Sequence, residues 1–295
     1  MFSRPPRYVE GLPRHPRCLV MGVLNVTPDS FSDGGRFLDH ARALEHGRRL
    51  AAQGADLVDV GGESTRPGAL RPSPQEEVDR VLPVVTGLVA AGVAVSVDTM
   101  RAVVAEAAVE AGAVLVNDVS GGRADEEMLP VVARLATPYV LMHWRAHSRE
   151  MEQHAGYGDV VAEVLTELRE QLDAATVAGV DPRRIAVDPG IGFSKTAEAN
   201  WEVLAGIERL HELGHPVLVA TSRKRFLGRL LADPAGEPRP VLERDDATTA
   251  TSALAAAAGA WCIRSHSVLP SLDAVRVAGR WARSAERERA GSGRG

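Results

Sequence analysis

The sequence contains very little lysine. Of its 34 Lys and Arg residues only Lys195 and Lys224 are lysines, and asparagine occurs only at Asn25, Asn117 and Asn200. Arginine supplies positive charge everywhere else, although a compact ammonium and a planar guanidinium make different contacts. The positions that keep lysine are therefore candidates for chemistry that arginine cannot perform, and survival of the two lysines by chance is the alternative.

Other shortages exclude whole classes of protein. The two cysteines, Cys18 and Cys262, are far apart and lack metal-binding spacing, which favours a reducing cytoplasm over a secreted disulfide framework. No apolar run approaches the ~18 residues of a membrane span, and the first residues lack a signal-peptide core. The net charge of −5 gives no support for a nucleic-acid-binding surface. We predict a cytoplasmic protein with neither a membrane nor a nucleic-acid partner.

One unit occurs eight times along the chain: an apolar run of strand length, a polar loop and a segment with helical spacing. The predicted strands are Cys18–Leu24, Leu57–Val60, Ala94–Val97, Val114–Val116, Tyr139–Met142, Ile185–Val187, the run from Val217 to the residue before Ser222, and Trp261–Ile263. Eight such units in roughly 270 residues favour a single (β/α)₈ TIM barrel in the α/β class. An open doubly wound sheet is the alternative, although the Gly-rich fingerprints of nucleotide-binding loops are absent.

The domain boundaries follow from composition. Residues 1–16 are rich in Pro and Arg and are predicted to be a loose leader, 17–284 the barrel, and 285–295 a disordered, charged tail. Among the helices, Gln75–Ala91 contains Pro83, which we expect to divide or kink it, and Leu272–Arg283 is the last.

Polar side chains follow the carboxyl ends of the predicted strands, where barrel enzymes place their chemistry. These residues are Asn25, Glu63, Asp98, Asn117, His143, Asp188, Lys224, Arg264 and His266. Asp98 and Asp188 each terminate an apolar run, so we expect each to be partly buried and to need a hydrogen-bonding partner. Capping of the following helix is the alternative role for these carboxylates.

The residue types at the strand ends indicate a class of ligand. Carboxylates suit a flat ligand edge with paired N–H donors. The side chain of Asn117 offers both a donor and an acceptor, and Lys224 offers a donor to a ring nitrogen or carbonyl. The predicted ligand is a heteroaromatic ring. His143 and His147 have i,i+4 spacing, but they follow a strand, so a zinc pair is disfavoured.

A second group indicates an anionic arm on the same ligand. Arg66, Arg264 and His266 are anion binders, and Arg can fork onto phosphate oxygens. Asn25 offers a neutral oxygen that suits Mg²⁺ held mainly by substrate phosphates and water.

These motifs together resemble those of the dihydropteroate synthase family, folate-pathway enzymes that are the target of sulfonamides. The resemblance runs from about Cys18 to about Arg283. The matching stretches are Met21–Gly34, Asp59–Gly68, Ser96–Thr99, Asn117–Gly121, Asp188–Phe193, Ser222–Lys224 and Arg264–His266. Any one of them alone would be weak, and their order along the chain makes the set specific.

The resemblance implies a (β/α)₈ barrel, a homodimer, Mg²⁺, and condensation of 6-hydroxymethyl-7,8-dihydropterin pyrophosphate with p-aminobenzoate. By motif, the pterin would be held by Asp98, Asn117, Asp188 and Lys224, with walls from Met142 and Phe193. The pyrophosphate would meet Asn25, Arg66, Arg264 and His266, with Mg²⁺ on Asn25, and the p-aminobenzoate would meet Thr65, Pro67 and Ser222. Phe31 would lie in the first loop, and Lys224, Arg264 and His266 would be the catalytic residues.

Two positions depart from the family's usual pattern. Ser267 follows His266 where an acidic residue or Asn is common, which predicts a less well oriented histidine. Ala220 replaces a glycine at the end of the seventh strand and adds a methyl group near the pterin.

Three other functions are weighed against this one. A methyltetrahydrofolate methyltransferase would share the barrel and the pterin pocket but would have no use for Arg66, Arg264 and His266 around a pyrophosphate. A catalytically silent paralogue would be expected to have lost those residues. A Schiff-base aldolase using Lys224 is disfavoured by the flanking anion-binding arginines.

Overall fold

Eight parallel strands form the centre of the computed structural model, which describes residues 8–27, 35–63, 71–147, 150–151 and 153–292. The strands β1 to β8 are, in order, Leu19–Asn25, Leu57–Gly61, Val95–Asp98, Leu115–Asp118, Tyr139–Met142, Ile185–Asp188, Leu218–Val219 and Cys262–Ser265. Their order in the sheet is β6-β5-β4-β3-β2-β1-β8-β7. A bridge between Val187 and Val217 links β6 to β7 and nearly closes the barrel. The predicted barrel is confirmed, and an open doubly wound sheet is excluded.

Ten helices connect the strands and cover the outside of the barrel among the described residues. The helices α1 to α10 are, in order, Gly35–Ala52, Pro74–Ala90, Ala102–Glu110, Met128–Leu135, Val160–Val177, Ala197–Ala205, Ile207–Leu210, Arg225–Leu230, Asp245–Ala257 and Val268–Ser292. A capping box starts α2, where the Ser73 hydroxyl accepts from the Glu76 N–H and the Glu76 carboxylate accepts from the Ser73 N–H. Pro83 does not divide α2, since the buried side chains on either side of it hold the helix against the sheet.

The alternation of side chains along each strand separates two apolar cores. Outward residues such as Val20, Val58 and Val97 pack under the helices, and inward residues such as Leu57 and Leu115 fill the barrel at the amino ends of the strands. The inward set continues toward the carboxyl ends with polar side chains. The fold therefore places a polar layer at the mouth of the barrel, above an apolar floor.

Two side chains anchor the segment 8–16 to the barrel, and the predicted loose leader is wrong for this part of the chain. Val9 and Leu12 are buried in the same cluster as the inward residues at the amino ends of the strands. The Glu10 N–H donates to the Arg183 carbonyl at 2.9 Å. Two apolar residues within a Pro- and Arg-rich segment therefore belong to the apolar core at the amino ends of the strands.

The last helix is longer at both ends than predicted. It extends over Val268–Ser292, so the prediction of a disordered tail from residue 285 is wrong as far as Ser292. Val268, Leu272 and Val275 bury its first part against the barrel, and Arg280 donates to the Ser284 hydroxyl at 3.0 Å one turn on. No described helix combines the length and apolar character that a membrane span requires.

Candidate active site

Arg264 joins two carboxylates at the centre of the barrel mouth. Its Nε donates to Asp59 Oδ2 and its Nη2 to Asp98 Oδ2, each at 2.6 Å, and Asn117 Nδ2 donates to the same Asp59 oxygen at 2.9 Å. Burial opposes the charge on Arg264, but the two carboxylates raise its pKa. Burial raises the pKa of Asp98, and Arg264 opposes that rise. The predicted residues Asp98, Asn117 and Arg264 thus share one charged network.

Asp59 is a member of this network that the sequence analysis missed. It is fully buried, and among the residues of the described chain its Oδ1 has no hydrogen-bond partner. The sequence feature that could have indicated Asp59 is its position in an otherwise apolar strand, two residues after Leu57, which places both side chains on the inward face. An inward carboxylate in the middle of a barrel strand requires a buried cation, and Arg264 on β8 supplies it.

A second pair of predicted residues lies on the other side of the mouth. Asp188 ends β6, is buried, and accepts from the Gly190 N–H through Oδ1 at 2.7 Å. Lys224 stands at the start of α8, and its Nζ donates to the Ile191 carbonyl and lies 4.8 Å from the centre of the Phe193 ring. Burial raises the pKa of Asp188 and lowers that of Lys224 to about 8, while each charge opposes the shift of the other. An anionic and a cationic group therefore face one polar space.

The proposed apolar walls come together next to these charges. Met142, at the end of β5, is buried in a small cluster with Met100 and Val119. Phe193 packs against this cluster from the loop after β6. A flat ring held by the polar groups would therefore have an apolar surface beside it.

His266 and Ser222 are brought together at the ends of β8 and β7. The His266 backbone N–H donates to Ser222 Oγ at 3.0 Å, and Ser222 Oγ lies 2.9 Å from His266 Nδ1. Ser222 thus contacts the imidazole at Nδ1, and the expectation that Ser267 leaves it less well oriented than an acidic residue or Asn would stays a prediction. Ala220 packs with the inward apolar cluster, and its methyl group adds to the floor of the mouth.

Asn25 lies in the same row of the sheet as two other polar residues of the mouth. The register pairs Asn25 with Gly61, Gly61 with Asp98, and Asp98 with Asn117. The Asn25 side chain is half-buried. Asn25 therefore lies in the same row as Asp98 and Asn117, with β2 between it and Asp98.

Several predicted positions fall outside the described residues. Thr65, Arg66 and Pro67 lie in the segment 64–70, and Phe31 lies in the segment 28–34. Glu63, the last described residue before the segment 64–70, forms an ion pair with Arg71 at 2.7 Å, just beyond it.

His143 belongs to a network that sequence spacing did not reveal. It is fully buried; its Nε2 lies 2.9 Å from Glu167 Oε2, and its Nδ1 lies 3.0 Å from Lys195 Nζ. Burial lowers the pKa of His143 to about 4, and that of Lys195 to about 7. Glu167 also accepts from Arg145. The ring of His147 instead packs edge-on against Trp144.

Known proteins share both the sequence and the fold. The sequence profile of the family described as "Pterin binding enzyme" matches residues 21–266. The dihydropteroate synthase of Mycobacterium leprae (strain TN) is 54% identical over 263 residues, which are 89% of this chain and 93% of that protein.

Solved structures of the same kind match over most of the chain. The dihydropteroate synthase of Xanthomonas albilineans with 4-aminobenzoic acid gives a TM-score of 0.81 at 46% identity, over 88% of this chain and 92% of that one. The synthase of that organism in complex with 7,8-dihydropteroate gives a TM-score of 0.78 at 44% sequence identity, with the same coverage of both chains. The Yersinia pestis enzyme in a sulfonamide drug complex gives a TM-score of 0.85 at 37% sequence identity, over 95% of this chain and 99% of that one. This chain belongs to the pterin-binding enzyme family, among its dihydropteroate synthases.

Proposed function

We propose that the polar layer at the barrel mouth carries the reaction of a dihydropteroate synthase and that each group in it has a separate role. The chain is an alkyl-transferring enzyme of folate biosynthesis: it condenses 6-hydroxymethyl-7,8-dihydropterin pyrophosphate with p-aminobenzoate to give 7,8-dihydropteroate and pyrophosphate. The observation that carries the assignment of roles is the pair Asp188 and Lys224, which present opposite charges to one space beside Phe193.

The pterin ring fits the half of the mouth that contains these two residues. The Asp188 carboxylate would accept from two N–H donors on the ring edge, and Lys224 would donate to a ring nitrogen or carbonyl. Asp98 and Asn117 would complete the polar contacts, and Met142 and Phe193 would supply the walls. Because the ring is bound as a planar, hydrogen-bonded unit, its methylene carbon has one fixed direction in which to react.

Arg264 and His266 would stabilise the pyrophosphate as it leaves. A guanidinium has five N–H donors, and Arg264 uses two of them to hold Asp59 and Asp98. Ser222 Oγ accepts the backbone N–H of His266, so its own proton can go to Nδ1, which leaves the ring proton on Nε2 as a donor to an anion. Arg66 would add a further cation, and Thr65, Pro67 and Ser222 would face the p-aminobenzoate.

The chemistry requires no protein nucleophile. The C–O bond between the methylene carbon and the pyrophosphate breaks, and the electron pair leaves with the pyrophosphate. The electron-rich pterin stabilises the cationic character that remains, the amine nitrogen forms the new bond, and its extra proton passes to solvent. The task of the protein is to place donors where negative charge develops.

Mg²⁺ fits the site as a cofactor held mainly by its substrate. In the described part of the chain no three His, Cys, Asp or Glu side chains lie close enough together to hold a metal ion. The neutral amide oxygen of Asn25 is a ligand type that Mg²⁺ accepts when phosphate oxygens and water complete its shell. When bound, the ion would withdraw charge from the departing pyrophosphate.

The function is tested by pyrophosphate release from the purified chain supplied with the dihydropterin pyrophosphate and Mg²⁺, with and without p-aminobenzoate. We expect release that depends on p-aminobenzoate and falls when Mg²⁺ is chelated. A silent pterin-binding protein would bind the substrate and release nothing, which would contradict the proposal. Release that is indifferent to Mg²⁺ would contradict only the role given to Asn25.

We expect Lys224→Arg to be damaging, although arginine replaces lysine almost everywhere else in this chain. A guanidinium is too large to place one compact charge at the ring edge. The pKa of Lys224 is lowered to about 8, so its ammonium is present below that pH and is lost as the pH rises through it. Pterin affinity of the unmodified enzyme should therefore fall above about pH 8, whereas the arginine variant should bind weakly at every pH and lack this fall.

Titration of both proteins with the pterin substrate on either side of that pH measures the effect. Near-normal turnover of the arginine variant would contradict the argument from lysine scarcity.

We also propose that the enzyme is a cytoplasmic homodimer. Both cysteines are buried free thiols, which suits a reducing compartment. Four large apolar side chains on the neighbouring helices α9 and α10 are at least half exposed, namely Leu254, Leu269, Val277 and Trp281. Exposed apolar side chains on packed helices are typical of a surface that another protein covers. The occupant that a symmetric oligomer supplies is a second copy of the same surface.

Trp281→Glu is expected to convert the dimer into a monomer, because it introduces a charge into the apolar interface. Sedimentation equilibrium measures the mass of each species. Val177→Glu, at an even more exposed apolar position on α5, is the matched control and should leave the mass unchanged. An unmodified chain that sediments as a monomer would contradict the proposal.

A further inference from the structure

Both lysines of this chain donate to the backbone of one short segment, residues 189–194, which we call the β6 turn. Lys224 Nζ donates to the Ile191 carbonyl. Lys195 Nζ donates to the Gly190 carbonyl at 3.2 Å and to the Phe193 carbonyl at 3.3 Å. The first lysine already has a role at the pterin; the second has none in the assignment above.

The third contact of Lys195 links the β6 turn to the neighbouring strand. Its Nζ lies 3.0 Å from His143 Nδ1. Below its pKa of about 7 the Lys195 ammonium can only donate, so Nδ1 accepts and the imidazole proton is on Nε2, which faces Glu167. Lys195 thereby uses all three of its donors, and His143 directly follows Met142, one of the apolar walls.

The β6 turn has a conformation that needs such support. Gly190 and Gly192 have φ angles of 68° and 82°, and Ser194 has a φ of 46°, which is unfavourable for a residue with a side chain. The two glycines adopt this region readily, whereas the conformation of Ser194 is costly unless surrounding contacts hold it. The two carbonyls bound by Lys195 are on either side of Ile191 and Gly192, so the ammonium closes the turn from within.

We propose that Lys195 is a positioning residue for the pterin site. It holds the β6 turn in the shape that sets the Phe193 ring as a wall and the Ile191 carbonyl as the anchor of Lys224. It acts through these two residues and does not itself contact the substrate. Arginine cannot replace it. The three acceptors surround one point, which suits the three N–H donors of a single ammonium nitrogen, whereas the N–H donors of a guanidinium are spread over a plane. This inference rests on the proposed pterin site.

The experiment compares Lys195→Met, Phe193→Leu and the double variant with the unmodified enzyme. Arg169→Met, which removes one cation from an exposed position on α5, is the control for loss of charge. Affinity for the dihydropterin pyrophosphate is measured by calorimetry, KM for each substrate by pyrophosphate release, and order in the β6 turn by amide hydrogen exchange.

We expect Lys195→Met to weaken pterin affinity about tenfold or more, as the loss of charged hydrogen bonds predicts. The KM for p-aminobenzoate at saturating pterin should not change, and the amides of Gly192 and Phe193 should exchange faster. The fold losses of Lys195→Met and Phe193→Leu should combine to less than their product, because both changes act on one wall. A general loss of stability would not produce this selectivity for one substrate.

Unchanged pterin affinity in Lys195→Met, an equal rise in both KM values, or fold losses that multiply would each overturn the inference. If the methionine variant does not fold, Lys195→Arg takes its place: weakened pterin binding with unchanged KM for p-aminobenzoate supports the inference, and full recovery overturns it. If the unmodified enzyme and Arg169→Met also fail to bind the pterin, the proposed pterin site fails. If those two bind and Lys195→Met binds equally well, only this inference fails.

Discussion

Replacing Asp188 by asparagine is expected to abolish measurable pterin binding while the barrel remains folded. Asp188 Oδ1 accepts the Gly190 N–H, and an asparagine oxygen can keep that bond, so the start of the β6 turn is preserved. The other oxygen becomes an NH₂ group, which sets donor against donor at the ring edge. The cost is about 1–3 kcal/mol for a lost hydrogen bond with its partner left unsatisfied, and more when charge assistance is also lost.

Calorimetric titration with the pterin substrate measures this loss, and thermal unfolding followed by circular dichroism checks the fold. Asp173→Asn makes the same chemical change at an exposed position on α5 and should bind normally. Unchanged pterin affinity in a folded Asp188→Asn protein would contradict the assignment of this carboxylate to the ring.

Arg264→Met is expected to be the most destabilising change at the mouth. The methionine leaves Asp59, which is fully buried, and Asp98 without the cation that both carboxylates contact at 2.6 Å. Removing one partner of a buried ion pair typically costs about 3–5 kcal/mol, because an uncompensated charge remains. Pyrophosphate release should be lost as well, since the guanidinium that would receive the leaving group is absent.

The pH dependence of the stability lost in Arg264→Met distinguishes uncompensated buried charge from a simple packing defect. Burial raises the pKa of Asp98 above its ordinary value of 3.8, and loss of Arg264 would raise it further. A carboxyl with a raised pKa binds more protons when folded, so its contribution to stability is fully present below 3.8 and is lost as the pH rises through the folded-state value. The loss of unfolding free energy caused by Arg264→Met should therefore be small in acid and should grow toward neutral pH.

Urea unfolding at several pH values measures the deficit. A second variant, Arg264→Met with Asp59→Asn, leaves one fewer carboxylate without a cation. It should recover part of the lost stability at neutral pH. A deficit that is independent of pH, or that Asp59→Asn does not reduce, would contradict the role of Arg264 as the cation between two carboxylates.

Local patterns in the sequence were sufficient to predict the barrel. Each strand is an apolar run of strand length that is followed by a polar loop and a helix, so the eight units were visible without tertiary information. The positions where strands end also predicted which side chains meet at the mouth, because parallel strands bring their carboxyl ends to one edge. Asp98, Asn117 and Arg264 were found in this way, and the structure joins them.

Partners that lie far apart in the chain were not predictable. Asp59 and Arg264 are 205 residues apart, and no local pattern indicates that a carboxylate in β2 will meet a guanidinium in β8. The bond between Ser222 and His266, and that between Lys195 and His143, likewise depend on which strand ends are neighbours in the barrel. The packing of Val9 and Leu12 under the barrel was hidden because burial of two residues depends on the shape of the cavity that they cover.

The sequence by itself determined the secondary structure, the barrel and the types of side chain at its mouth, because hydrophobic periodicity and turn chemistry act over a few residues. Only the tertiary structure decided which charges are paired, which histidine is oriented by which hydroxyl, and which carbonyls the two lysines hold. Those contacts arise from closure of the barrel, which brings residues from all parts of the chain together in a buried layer where a charge needs a partner.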